Sequence, residues 1–209
     1  MQIPIDTWLR RFREIIDGPF GEECRRMYAQ RATFTSSLLV QFDQTITTDG
    51  AITVLDPAKL GFDGTNSLRG FGVFSDIGSA FQTGMDHSLI PGHSSVAMTP
   101  VVVCIENTPC VPTLIQYIGR GTIGKVQFAR VAFLSPEEGK AVVLRLVTLI
   151  DTLVIGCDGF SLEDITFVAL SCPKIIMKSV SIPPHHPHAP QGLTHVEFDF
   201  QSPMTGTPK

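Results

Sequence analysis

The chain has 209 residues, a formal net charge of −4, 43% hydrophobic residues and only 17% charged ones, where roughly 25% charged is usual for a globular chain. That acidic balance excludes a coat that holds nucleic acid by bulk positive charge, and the length suffices for one domain with a sizeable core and no staples. Cys24, Cys104, Cys110, Cys157 and Cys172 are odd in number and show no CxxC spacing, which reads as free, mostly buried thiols in a reducing compartment.

Residues 6–17 read as a short amphipathic helix. Asp6 is its cap, Ile5, Leu9, Phe12 and Ile16 form one face with Trp8 and Ile15 beside it, and Gly18-Pro19 ends it. A second helix is expected over 20–31. Six of the ten arginines (Arg10, Arg11, Arg13, Arg25, Arg26 and Arg31) fall in this segment, mixed with five acids. The plain reading is a solvated helical face. The sharper one is a surface of Trp8, Arg10, Arg11 and Arg13 that docks on a partner protein, RNA or an anionic membrane. No apolar signal segment opens the chain, so secretion is not expected.

From Thr33 the period falls to two, with Phe34, Leu38, Val40 and Phe42 on one side of a half-buried strand. Asp49-Gly50 resembles a two-residue hairpin turn into Ala51–Leu55. In that register Ile52 and Val54 oppose Thr47 and Thr45, so either the turn is longer or both faces are partly covered. Residues 56–95 are loop-rich, with seven glycines between Gly61 and Gly92. One strand is expected there, Leu68–Phe74, where Gly70 and Gly72 mark a bulge or a close backbone approach. Val96–Ile105 is a strand with Val101 to Val103 buried on both faces. Asn107–Pro109 turns, Cys110–Ile118 returns as a strand, and Thr122–Leu134 is another.

The longest apolar run is Ser135–Gly156. Ser135 can cap a helix, Pro136 suits its first position, and Glu138 completes a capping box. Polar residues at Arg145, Thr148 and Asp151 recur at a helical step, so a helix over 136–152, buried on most of its circumference, is the favoured reading. The rival is two strands, because Val, Ile and Thr are plentiful. The run is too short and too polar to span a bilayer. Strands follow at 165–172, 175–182 and 194–200, the last two joined by a proline-rich connector, PPHHPHAP. The expected fold is thus α+β, mainly β: an antiparallel β-sandwich or partial barrel with two short N-terminal helices and one buried helix near 136–152. It is a single domain over 1–209, made of a helical segment 1–31, a β-rich body 32–201 and a mobile tail 202–209.

Motifs that carry chemistry are weak. Gly119-Arg120-Gly121-Thr122-Ile123-Gly124 is a literal GxGxxG, the dinucleotide fingerprint. The segment after it alternates like a strand, and the expected acid about 20 residues on is missing, so a glycine-rich β-turn is the better reading. Arg120 and Arg130 share a face of the strand that follows, with Lys125 opposite, and form a candidate RNA or phosphate contact. His185, His186, His188 and His195 are splayed along an extended connector and do not make a metal site. A nucleophilic cysteine needs a histidine beside it; His87 or His93 could meet Cys104 or Cys110, but nothing in the local sequence favours that pairing. No catalytic residue, cofactor or metal is assigned, and no small-molecule substrate is expected.

Low surface charge, glycine-rich loops, flanking helices and a β body together have the texture of a viral capsid- or matrix-type subunit. The expectation is therefore a self-assembling structural protein, a homo-oligomer or lattice, intracellular or in a virion, neither secreted nor transmembrane. Trp8, Arg10, Arg11, Arg13, Arg120 and Arg130 are its candidate contacts to partner, RNA or anionic membrane. The alternative is a cytosolic enzyme or nucleotide-binding module using the 119–124 turn or a Cys/His pair.

Overall fold

The computed structural model describes residues 5–31, 36–43, 67–83, 89–135, 140–159, 163–181 and 191–200. The helices are α1 (Ile5–Asp17), α2 (Pro19–Ala29) and α3 (Cys110–Tyr117). The strands are β1 (Ser36–Gln41), β2 (Leu68–Phe74), β3 (Ile77–Thr83), β4 (Leu89–Met98), β5 (Val101–Glu106), β6 (Val126–Ser135), β7 (Lys140–Ile150), β8 (Leu153–Cys157), β9 (Ile165–Ser171), β10 (Lys174–Ser181) and β11 (Gln191–Asp199). Nine of them form one sheet in the order β11-β10-β7-β6-β1-β2-β5-β9-β8, while β3 and β4 form a separate two-stranded ribbon. Every pairing is antiparallel. The mainly β, α+β class expected from the sequence is the class observed.

Two short connections show that the sheet closes on itself. β7 and β8 are separated by five other strands in the sheet order, yet only Asp151 and Thr152 join them. Two residues reach only about 3.5 Å each, so the far edge of the sheet must lie beside its other side. Cys172 and Pro173 join β9 to β10 in the same way. The enclosed face holds Val40, Leu68, Val103, Phe128, Leu149, Val168 and Ile175 in a single buried cluster. Val101, Val102 and Val103 are buried on both faces of β5, as their unbroken apolar run implies.

The second buried face is the outer side of β2, β5 and β9. There Phe12, Ile16 and Cys24 from the two N-terminal helices meet Phe71, Val102, Cys104 and Phe167. The break between the helices sits at Gly18-Pro19 as expected. Gly21 makes the corner possible, because a Cβ on it would lie 1.7 Å from the Ile16 carbonyl oxygen. Asp6 stands in the first turn of α1 instead of capping it. The bulge expected in β2 falls between Gly70 and Gly72.

Three expectations are corrected. In place of the helix expected over 136–152, residues 140–150 form strand β7, which Asp151 and Thr152 join to β8, while 136–139 lie outside the described residues. Arg145, Thr148 and Asp151 do recur every three residues, but Arg145 and Thr148 lie on opposite faces of a central strand whose two sides are both largely apolar. Asp151 adopts φ 52° at the exit of β7, which ends the strand. The return strand over 110–118 is helix α3. Pro112 would break a ladder mid-sheet, but it sits in the first turn of a helix, where backbone N–H groups lack intrahelical partners anyway. Cys110, Val111 and Leu114 turn one face of α3 into the interior cluster. The stretch after β2 expected to be loop carries the β3-β4 ribbon, and residues 56–66 lie outside the described residues. The Asp49-Gly50 hairpin, the PPHHPHAP connector and the 202–209 tail lie outside the described residues.

Candidate functional site: a sheet edge and an arginine-rimmed mouth

The two ends of the strand order are treated differently. At the β8 end, Ile123 N–H donates to the Thr152 carbonyl at 2.7 Å, Thr152 N–H donates to the Gly124 carbonyl at 2.9 Å, and Thr122 forms a bridge with Leu153. Further along β8 the Trp8 indole N–H donates to the Ile155 carbonyl at 3.3 Å, while its ring stacks on Phe12 with centroids 5.9 Å apart. The edge is therefore covered by the chain itself. β11, by contrast, pairs only with β10 among the described residues. Thr194, His195, Val196 and Glu197 are all exposed along it, and Glu197 forms an ion pair with Lys174 of β10.

Trp8 is thus turned inward and is not a free aromatic anchor. Arg10, Arg11 and Arg13 are exposed on α1. Arg25, which no local pattern in the sequence singles out, ties α2 to the body. Its Nε donates to both oxygens of Glu163, at 3.1 and 3.2 Å, and its Nη1 donates to the Ile16 carbonyl at 3.1 Å. Its guanidinium also lies 5.6 Å from the Phe167 ring centre.

The glycine motif follows helix α3 and leads into strand β6, the reverse of the strand-to-helix order a dinucleotide site needs. Gly119, Gly121 and Gly124 have φ of 73°, 129° and 71°. The segment is a left-handed turn stitched to β8, and no helix N-terminus follows it to receive a pyrophosphate. Arg120 is exposed on this turn, ahead of β6, whereas Arg130 lies well along that strand, so the two form no joint patch.

The thiols are buried, apart from the partly covered Cys157. Burial pushes Cys157 up to about 12 and Cys172 up to about 11. The Cys24 thiol beside it, then burial, hold Cys104 far above the ordinary thiol range, and burial raises Cys110. None of these four is a thiolate nucleophile near neutral pH. His87, His185, His186, His188 and the side chain of His93 lie outside the described residues. Among the described residues no cluster of His, Cys, Asp or Glu is placed to hold a metal ion, and no helix is long and apolar enough to cross a membrane.

The inward face of the sheet ends in a cationic mouth that the sequence does not reveal. Cross-strand register builds it in three rows. Val126, Leu149, Ile175 and Phe198 stand side by side, and Val40, Phe128, Val147, Met177 and Val196 form the next row. In the third, Leu38 pairs with Arg130, Arg130 with Arg145, and Arg145 with Ser179. Arg31 and Arg69 approach the same space, a cavity of about 520 Å³. Sequence alone marks Arg130 as a candidate, assigns Arg145 to a helix and does not single out Arg69. Strand register brings Arg130 and Arg145 together on the inner face, whereas Arg69 pairs with Leu39 on the other face of the sheet and Arg31 follows helix α2.

No protein-family model matches the sequence, and no curated protein matches it. Solved structures do share its fold. A type six secretion system protein superposes with TM-score 0.59 at 7% identity, over 80% of this chain and 97% of that one. Hcp1 from Salmonella typhimurium gives 0.53 at 15% identity, over 80% and 97%. A further Hcp protein gives 0.52 at 12% identity, over 80% and 99%. These likenesses overturn the viral capsid- or matrix-type reading and its virion location, since the solved structures that share the fold are a type six secretion system protein and Hcp proteins. They equally remove the ground for an intracellular, non-secreted chain. Nothing in them supports RNA or membrane contact. At these identities the likeness is one of architecture: the chain carries the curled antiparallel sheet of Hcp proteins.

Proposed function

We propose that the chain is a self-associating structural component of a type VI secretion-type apparatus, acting as one folded unit through contacts between copies. The observation that carries this reading is the asymmetry of the sheet edges, with β8 covered by the chain's own Trp8 and β11 unpaired on its outer side among the described residues. An uncovered strand presents a row of backbone donors and acceptors that a second chain can extend. The low charge content of the sequence and the exposed apolar groups Val196, Leu9 and Ile118 fit a surface covered by neighbours. Arg10, Arg11, Arg13 and Arg120 are exposed and can meet an adjoining subunit. The fold's occurrence in a type six secretion system protein supplies the setting.

The test is sedimentation equilibrium of the full chain, with Thr194→Pro and His195→Pro as variants. Neighbouring strand residues aim their N–H groups to opposite sides, so one proline removes an outward donor and the other a bond to β10. The wild-type chain should form a discrete oligomer. One proline should dissociate it while keeping the melting temperature of the subunit, and the other should lower both. A monomer at the highest attainable concentration would overturn the reading.

A further inference from the structure

Arg130 and Arg145 stand directly across from each other on β6 and β7. Like charges at opposed positions repel, and a natural sequence tolerates such a local conflict chiefly where function requires it. No described carboxylate forms an ion pair with either arginine, and no described residue lining the cavity is acidic. Arg31 completes the rim, its guanidinium 3.9 Å from the Tyr28 ring centre and its Nη1 donating to the Tyr28 carbonyl at 3.0 Å. Those contacts hold it in place without neutralising it.

Beneath this rim the chemistry changes within one strand step. Phe128, Val147, Leu149 and Met177 line the cavity floor, with Leu38 at its side. The volume of about 520 Å³ lies within the roughly 300–1,000 Å³ of ordinary ligand pockets. Inorganic phosphate would satisfy the guanidinium groups but leave the floor empty. A neutral hydrocarbon would fill the floor but leave the charges unmatched.

We propose that the cavity binds an amphiphilic anion, a single aliphatic chain ending in a carboxylate or phosphate. The head sits between Arg130 and Arg145, which offer paired N–H donors to its oxygens. The chain lies along Phe128, Val147 and Met177, where it displaces water from apolar surface. The site is independent of the β11 edge and of any association between copies.

The experiment is isothermal titration calorimetry of the full chain with dodecanoate, dodecyl phosphate, inorganic phosphate and dodecyl maltoside, each amphiphile below its micelle concentration. One or both anionic amphiphiles should bind one per chain, and their relative affinities identify the preferred head. Inorganic phosphate and the neutral detergent should not bind. Arg130→Gln/Arg145→Gln should weaken binding about tenfold or more while raising the melting temperature of the ligand-free protein, because the opposed charges are gone. Three results would overturn the proposal: no binding of either anionic amphiphile, equal binding of the neutral detergent, or unchanged affinity in the double variant. Capture of an acidic apolar peptide without either amphiphile would overturn it in favour of a protein ligand.

Discussion

The indole N–H of Trp8 donates to the backbone carbonyl of Ile155 across 147 residues of sequence, at 3.3 Å. Through it an N-terminal helix occupies the edge of a strand made late in the chain. Trp8→Phe keeps the stack on Phe12 but loses the donor, and should cost about 0.5–1.5 kcal/mol. Trp8→Ala also loses apolar contact and should cost about 2–3 kcal/mol. Urea unfolding followed by circular dichroism measures both. In the wild type, the emission of this sole tryptophan should shift red in the same transition.

Two glycines should behave oppositely on substitution by alanine. A Cβ at Gly21 would meet the Ile16 carbonyl oxygen at 1.7 Å, and neither backbone can give way without opening the α1–α2 corner. Gly21→Ala should cost more than about 3 kcal/mol. Gly119 has φ 73° with open space where a methyl group would stand, so Gly119→Ala should cost only the left-handed backbone term, roughly 1–2 kcal/mol. Comparing the two melting temperatures tests the corner against the turn.

Stability should fall at alkaline pH because of the buried thiols. Cys172 and Cys157 titrate at about 11 and about 12 in the fold, against about 8.5 in an unfolded chain. The folded state thus keeps its protons longer than the unfolded state does. The contribution is fully present below the unfolded value and disappears as pH rises through the folded ones. The urea midpoint should drop between pH 8 and pH 11, and less so in Cys157→Ala/Cys172→Ala. At pH 8 a thiol reagent should react slowly with the native chain and rapidly in denaturant.

Phe167 is fully buried, with Phe20 edge-on at 6.2 Å and the Arg25 guanidinium over its ring. Phe167→Ala should cost about 3–5 kcal/mol. Arg25→Met should cost far less, because its ion pair with Glu163 is solvent-accessible and such pairs contribute little. Denaturant titration of both variants checks the ranking.

Much of the architecture is legible in the residues. The Gly18-Pro19 break, the glycine bulge in β2 and the two-sided burial of β5 all follow from local chemistry. The run from Ser135 misleads because a central strand of a curled sheet is apolar on both faces, which removes the period-two signal and leaves chance spacing to imitate a helix. Cys110–Tyr117 misleads in the other direction, since eight residues are too few for a helical period to stand out beside β-favouring Val and Ile. The mouth is illegible for a different reason. Arg69, Arg130 and Arg145 are far apart in sequence, and nothing local reports which strands become neighbours.

The unequal edges carry a geometric consequence. Two copies joined β11 to β11 would face each other across a two-fold axis and stop at a pair, since each uses up the one open border of its nine-stranded sheet among the described residues. Growth past a pair requires β11 to seat on some unlike region of the next copy. Head-to-tail contact of that kind repeats by one fixed rotation, which returns to its start as a closed circle or winds on as a fibre.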